Sequence, residues 1–344
     1  MDFRRLKATN FLSPLLAVLI AFAIVGIIIF VKGTNPLLAY SALFYGAFGS
    51  LHGLSETFAK ASPLLLSGLA ATVSFKSKIW NIGAEGQLHM GAILVTWAGL
   101  TFLELPTFLM IPLVIVLSFL GGALWASIVG ALKARFKVNE IILTLMLNYI
   151  AIYFMGYLLE GPWRDPSGIV YSPPISRAAW FPILIPGTRF HMGILLSLLC
   201  VPLIYVFLFK TVYGYRIRAI GASNKAADYG GINISKNIIL TMFISGGLAG
   251  LVGAGEISGI QHRLMGGFSP WYGYFGVLVA LLGRLHPFGV LIASVLFGGL
   301  LVGGDFMQRA AGVSAPLVYV LQGLIVIFLI GGEKIITRKI GSRE

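Results

Sequence analysis

Residues 11–31 read FLSPLLAVLIAFAIVGIIIFV, 21 consecutive residues without a charged side chain. At 1.5 Å per residue such a helix is about 30 Å long, the thickness of a bilayer's hydrocarbon core. This feature constrains the fold most because it recurs. Further apolar runs lie at about 59–78, 85–104, 108–132, 138–158, 191–210, 237–256, 271–284, 287–303 and 315–332, making ten in all, with the eighth and ninth short. In lipid each segment must satisfy its own backbone N–H and C=O groups, so these runs are expected as helices. The expected fold is therefore an all-α integral membrane protein of about ten transmembrane helices, in one domain over residues 1–344.

Composition agrees. With 58% hydrophobic and 11% charged residues among 344, and a mean hydropathy of +0.91, there is too little polar surface to cover a soluble globule. No polar stretch is long enough for a second domain. Cys200 is the single cysteine and lies in an apolar run, so no disulfide framework exists. The basic start MDFRRLKATN resembles a secretory signal, but the run after it is too long and no small-residue cleavage site precedes Lys32. That run is expected to remain as the first span.

Charge sets the orientation. If the N-terminus is cytoplasmic, 18 of the 25 basic residues fall in cytoplasmic segments and seven outside, while the 12 acidic residues divide six and six. A bias confined to Lys and Arg follows the positive-inside rule. The net charge of +13 thus reflects membrane orientation and anionic lipid headgroups, with no nucleic acid partner. Both termini and residues 211–236 are expected in the cytoplasm, with Arg284 and His286 as orientation charges at the inner boundary.

Two polar segments interrupt the spans. The outer one, 159–190, contains GPWRDPSGIVYSPPISRAAWFPILIPG, whose prolines forbid a long helix and whose tryptophans suit an interface. The inner one contains YGYRIRAIGASNKAADYGGINISK. There Gly221 opens and Gly230-Gly231 close a short polar helix whose small residues, Ala222, Ala226 and Ala227, are expected to face water and let another surface approach. An ordinary cytoplasmic linker explains the same pattern. If spans 2–5 and 7–10 run in opposite senses, the lead-in WNIGAEGQLHMGAILVTWAG before span 3 pairs with MGGFSPWYGYFGVLVALLG before span 8. Inverted repeats of this kind build central pathways in many transporters.

Catalytic signatures are missing from the sequence. No Gly-Lys dipeptide occurs, so there is no P-loop, and no serine sits in a Gly-x-Ser-x-Gly elbow. His52, His89, His191, His262 and His286 lack metal-ligand spacing. An intramembrane enzyme is disfavoured. Asn81, Glu85 and Gln87 stand where span 2 ends and span 3 begins. A carboxylate at a helix N-terminus gains about 0.3–1 kcal/mol from the macrodipole, which accounts for Glu85 as a cap. Against that, a charge at membrane depth costs about 2.5–3.5 kcal/mol unless it meets water or a partner, which makes it part of a pathway or gate. Asn148 in span 5 and Glu256 at the outer end of span 7 are further lining candidates, although interhelical hydrogen bonding explains them equally. Trp271, Tyr272 and Tyr274 suit stacking on a passing base or an aromatic belt.

The segments NIGAEGQ (81–87), VNEIILTLMLNYIA (138–151), GYRIRAIGASNKAADYGGI (214–232), VALLGRLHPFG (279–289) and VLQGLIVIF (320–328) resemble the permease subunits of ABC importers in the ribose, branched-chain amino acid and nucleoside group. The likeness covers about residues 55–335. It is nearest to nucleoside permeases that work with a lipoprotein of the basic membrane protein type. One departure is Gly221-Ala222-Ser223-Asn224, where the family more often reads Gly-Ala-Asn. The resemblance implies a single permease domain whose inner loop, between spans 6 and 7, is a coupling helix carrying Gly221, Ala222, Ala226, Ala227, Gly230 and Gly231. A cleft in a separate ATP-binding subunit would receive it, and that subunit would hold the ATP and Mg while this chain binds no cofactor. A second, related permease subunit forming a heterodimer, an extracytoplasmic substrate-binding lipoprotein and a bacterial inner membrane are implied as well. Few fixed charges at depth point to a neutral polar solute, which the resemblance narrows to nucleosides, with ribose or another simple sugar as the alternative. An ion-coupled secondary transporter is the alternative from another class.

Overall fold

The structure, a computed structural model, describes residues 18–166, 168–314 and 316–341, with residues 329–341 described by backbone alone. The start of the 11–31 run and the basic segment holding Arg4, Arg5 and Lys7 lie outside the described residues.

Among the described residues there is no strand, and each apolar run carries a helix. In chain order these are α1 (Val18–Val31), α2 (Pro36–Phe48), α3 (Leu51–Lys76), α4 (Ala84–Thr101), α5 (Thr107–Phe136), α6 (Glu140–Glu160), α7 (Met192–Lys210), α8 (Val212–Ala222), α9 (Asn224–Tyr229), α10 (Ile234–Glu256), α11 (Tyr272–Leu282), α12 (Pro287–Ala311) and α13 (Pro316–Gly341). Six are long and apolar enough to cross a membrane: α3, α5, α6, α7, α12, and α10 extended by a π-turn to Gln261. Shorter apolar helices are α1, α2, α11 and the Pro316–Phe328 part of α13. α4 belongs to neither group, because Glu85, Gln87 and His89 fill its first two turns.

The sequence reading did not anticipate α2. It occupies 36–48, within a stretch read as a connection, because its 13 residues are too few to register as a span. Its start is nonetheless well signalled, since Pro36 supplies the fixed φ and the Asn35 side chain accepts from Leu37 N at 2.9 Å. α3 likewise begins at Leu51, ahead of the expected 59, and takes in Glu56 and Lys60.

Two compact units are formed, one from 1–60 with 296–344 and one from 61–295, and the division falls inside α3 and α12. In the first unit the Phe22 and Tyr40 rings meet at 5.2 Å and those of Tyr45 and Phe306 at 5.8 Å. Gln322 Nε2 donates to the Phe297 carbonyl at 3.4 Å.

The second unit is built on α4, α5 and α10, which pack against one another. Their sequences explain why. α10 ends SGGLAGLVGAGE and α5 carries SFLGGA at 118–123, so backbone can lie directly on backbone. A Cβ at Gly250 would overlap the Ser118 carbonyl oxygen and crowd Gly122 N. Ser118 Oγ then bridges the helices, donating to Gly250 O at 2.6 Å and accepting from Ala254 N at 3.0 Å. Close van der Waals contact through small residues plus interhelical hydrogen bonds is how helices associate in lipid, where no hydrophobic drive acts between them.

Candidate functional site

The lead-in to α4 is a buried polar cluster. Asn81, Glu85, Gln87 and Asn148 are each at most 1% exposed. A charged or amide group at such depth has to find partners in the protein, and each of these does. Asn81 and Gln87 pair through both amides, at 3.1 and 2.9 Å. Asn81 also donates to Ser245 Oγ on α10 at 2.9 Å, and the Ser245 hydroxyl donates in turn to the Ala70 carbonyl of α3 at 2.7 Å. The loop 77–83 is thereby tied to two helices at once.

Asn148 on α6 reaches across to the same lead-in. Its Oδ1 accepts from Gly86 N at 2.7 Å, while Nδ2 donates to the Ile82 carbonyl and the Tyr274 hydroxyl, each at 3.0 Å. Gly83, the N-cap of α4, offers no side-chain cap, so Asn148 caps α4 from another helix. Tyr274, read from the sequence as a belt or stacking aromatic, is held in this cluster. Trp271 is exposed, whereas Tyr272 is buried.

Glu85 joins two helix starts. It sits in the first turn of α4 and accepts from Gly273 N, in the first turn of α11, at 2.8 Å. Ser269 hydrogen-bonds to the same carboxylate and caps Tyr272 N at 3.1 Å. A Cβ at Gly273 would lie within 3 Å of the Glu85 and Ala84 backbone. The carboxylate therefore lies where the positive ends of two helix dipoles converge, each worth about 0.3–1 kcal/mol to an anion. Glu256 closes α10, buried at 3% exposure, and stands 11 residues, roughly 16 Å, along the helix from Ser245.

Nearby, Glu140 and Lys133 form an ion pair between the start of α6 and the end of α5, and Glu140 also accepts from Trp80 N at 3.3 Å. Sequence reasoning did not single out this pair, although an acidic residue in a helix's first turn seven positions after a lysine was the available signal.

In the 159–190 segment, residues 172–181 lie against the chain at and beyond the end of α10. Ser172 N donates to Leu264 O, Ile175 N to His262 O and Phe181 N to Ser258 O, all at 2.8–2.9 Å. Trp180 stacks on His262 at 3.8 Å. Among the described residues no three His, Cys, Asp or Glu side chains converge as a metal site.

The 211–236 segment folds as α8 and α9, broken at Ser223. That residue is extended, and its hydroxyl accepts from Ala226 N at 3.3 Å to start α9. Ala222, Ala226 and Gly230 are exposed, and Gly221 is buried against the Lys76 carbonyl. Gly231 adopts a left-handed φ of 75°. Ala227, expected to face water, is buried at 4% exposure. It lies on the inner side of α9, which the alternation of a six-residue helix leaves ambiguous in sequence. Tyr229, which the sequence reading passed over, is 94% exposed.

Six helices long and apolar enough to cross a membrane, packed around a buried polar joint between two helix starts, describe a multi-pass helical membrane protein. Residues 53–330 match the family described as the branched-chain amino acid transport system / permease component, and the chain belongs to that family. It is similar to the guanosine ABC transporter permease protein NupP of Bacillus subtilis, 34% identical over 94% of each chain. The glucose ABC transporter permease protein TsgB13 of Haloferax volcanii is 36% identical over 93% of this chain and 87% of that one. The nucleoside ABC transporter permease protein NupB of Lactococcus lactis is 32% identical over 94% of this chain and 91% of that one. No solved structure matches.

Proposed function

We propose that this chain is the nucleoside-conducting permease subunit of an ATP-driven importer, forming one permease domain. The observation that carries the reading is the exposed corner α8–α9, with Ala222, Ala226 and the almost fully exposed Tyr229 on its outer side, in a chain of a permease family. A corner too polar for lipid and presenting small residues around one aromatic side chain is suited to a cleft in a separate ATP-binding subunit, where ATP and Mg are held. Gly221, Ala227, Gly230 and Gly231 shape the corner from its inner side and its end.

The likeness to permeases named for guanosine and for nucleosides supports nucleosides as the solute. Glucose, named for the Haloferax relative, supports a simple sugar as the second reading. A pathway fed by a binding protein needs no tight site of its own, as holds for conduction generally. The assembly then comprises a second, related permease, an extracytoplasmic lipoprotein and the ATPase, in a bacterial inner membrane with both termini cytoplasmic and ten spans.

The abutting starts of α4 and α11 support an inverted repeat, since related lead-ins would meet at its axis. In this reading Glu85 and Asn148 hold the two lead-ins together, Asn81 and Gln87 tie the first of them to α10, the four form the fixed joint of the gate, and Glu256 serves the route further along α10. A thermal-shift screen of the cognate binding protein tests the solute. Stabilisation by nucleosides is expected, whereas stabilisation by glucose, ribose or branched-chain amino acids with none by any nucleoside would overturn that assignment.

A further inference from the structure

A second polar cluster lies at the end of the bundle that carries α8, apart from the Asn81 joint. Lys76 ends α3, Phe209 lies in the last turn of α7, Arg218 is on α8 and His286 is in the turn before α12. All three basic groups gather on the Phe209 ring. Lys76 Nζ is 5.7 Å from its centroid, the Arg218 guanidinium 5.2 Å and the His286 ring 5.5 Å.

Neither Lys76 nor Arg218 has a carboxylate partner among the described residues. Burial and the Lys76 charge hold the His286 imidazole below its ordinary value. Cations on a ring face gain from its quadrupole, yet like charges brought this close repel one another. An anion placed among them relieves that repulsion.

The surroundings say which anion. Tyr205 and Phe288 extend the aromatic platform, with ring centroids 5.4 Å apart. From it, exposed apolar strips run away along α7, through Val206, Leu203 and Leu199, and along α12, through Phe288 and Ile292. A free phosphate or a protein carboxylate has no use for such strips, whereas acyl chains do.

We propose that Lys76, Arg218 and His286 around Phe209 bind the phosphate of an anionic phospholipid whose acyl chains lie along α7 and α12. The site fixes the α3–α7–α8 corner to the leaflet on the ATPase side, and this part of the proposal rests on the reading of that end as cytoplasmic. Juxtamembrane basic clusters attract anionic headgroups in this way.

The test uses the full chain purified in detergent, with bound palmitoyl-oleoyl-phosphatidylglycerol or the matching phosphatidylcholine counted by native mass spectrometry. Phosphatidylglycerol is expected to bind more tightly. K76Q/R218Q should weaken it by about tenfold or more while leaving phosphatidylcholine binding unchanged, which also reports that the variant is folded. K76R/R218K should restore it, and K137Q, a charge removed elsewhere on the same end, should have no effect. Equal binding of the two lipids by the unaltered chain, or phosphatidylglycerol binding unchanged in K76Q/R218Q, overturns the proposal. So does full competition by millimolar inorganic phosphate, which would make the ligand free phosphate. Loss of ATPase-subunit capture in K76Q/R218Q with no lipid preference would make the cluster a protein dock and likewise overturn it. Neither ATP nor solute enters the measurement, so its failure is separate from failure of the importer reading.

Discussion

Asn148→Ala should destabilise the purified chain by about 2–4 kcal/mol. Gly86 N is a first-turn donor of α4 with no partner inside its own helix, and losing a side-chain cap costs about 1 kcal/mol. The half-buried Ile82 carbonyl would also lose its donor from Nδ2, at about 1–3 kcal/mol. The Tyr274 hydroxyl can turn and adds little. An independent figure comes from interhelical hydrogen bonds in membranes, which average about 0.6 kcal/mol, so the three bonds of Asn148 amount to about 2 kcal/mol. Both routes reach the same lower bound. Equilibrium unfolding by sodium dodecyl sulfate in mixed micelles, followed by helical circular dichroism, reads the loss. Tyr274→Phe, which removes one partner and leaves both backbone contacts, should cost about 0.6 kcal/mol in the same assay. A loss below about 1 kcal/mol for Asn148→Ala, or equal losses for the two variants, would refute the view that Asn148 caps α4 and anchors its lead-in.

Three shorter predictions follow from the packing and the exposed corner. Gly250→Leu should abolish accumulation of folded chain, because a side chain there displaces α5 by its backbone, and a normal yield by fluorescence-detected size exclusion would contradict the α5–α10 contact. Ala226→Arg should leave the fold intact and block capture of the ATPase subunit, whereas Ala227→Arg, buried at 4% exposure, should unfold the corner first. Identical melting temperatures for both variants would place Ala227 wrongly. Ser223→Cys should react with an impermeant maleimide only after cells are opened, and labelling of intact cells would reverse the orientation.

Most of the helices were legible in the sequence because lipid demands long apolar runs, and the 108–132, 138–158 and 191–210 runs leave no other fold open. The 36–48 helix was not, being shorter than the window that defines a span. The polar joint was half legible. An ionisable residue between Gly83 and Gly86 drew attention to Glu85, but its partner Gly273 lies 188 residues away, a separation that no local pattern encodes. Asn148 was seen as a polar residue in an apolar helix, yet its role as a cap for α4 depends on which face of α6 meets the lead-in. The same limit applies to Ala227, where one residue of rotation on a short helix separates a docking contact from a buried one. Nothing local in the sequence marks Phe209 as the ring on which basic side chains from the end of α3, from α8 and from the turn before α12 gather.

The polarity of α4 bears on how the protein is made. A helix opening with Glu85, Gln87 and His89 partitions poorly into lipid by itself, since each such residue at depth opposes insertion. The groups that satisfy it arrive at different times during synthesis. Asn148 emerges some sixty residues after Gly86, Ser245 about 160 after Asn81 and Gly273 nearly 190 after Glu85. α4 must therefore be sheltered beside α5 and the insertion machinery until α10 and α11 leave the ribosome. A variant that weakens this shelter is expected to accumulate to a lower level, so its transport has to be compared per folded molecule.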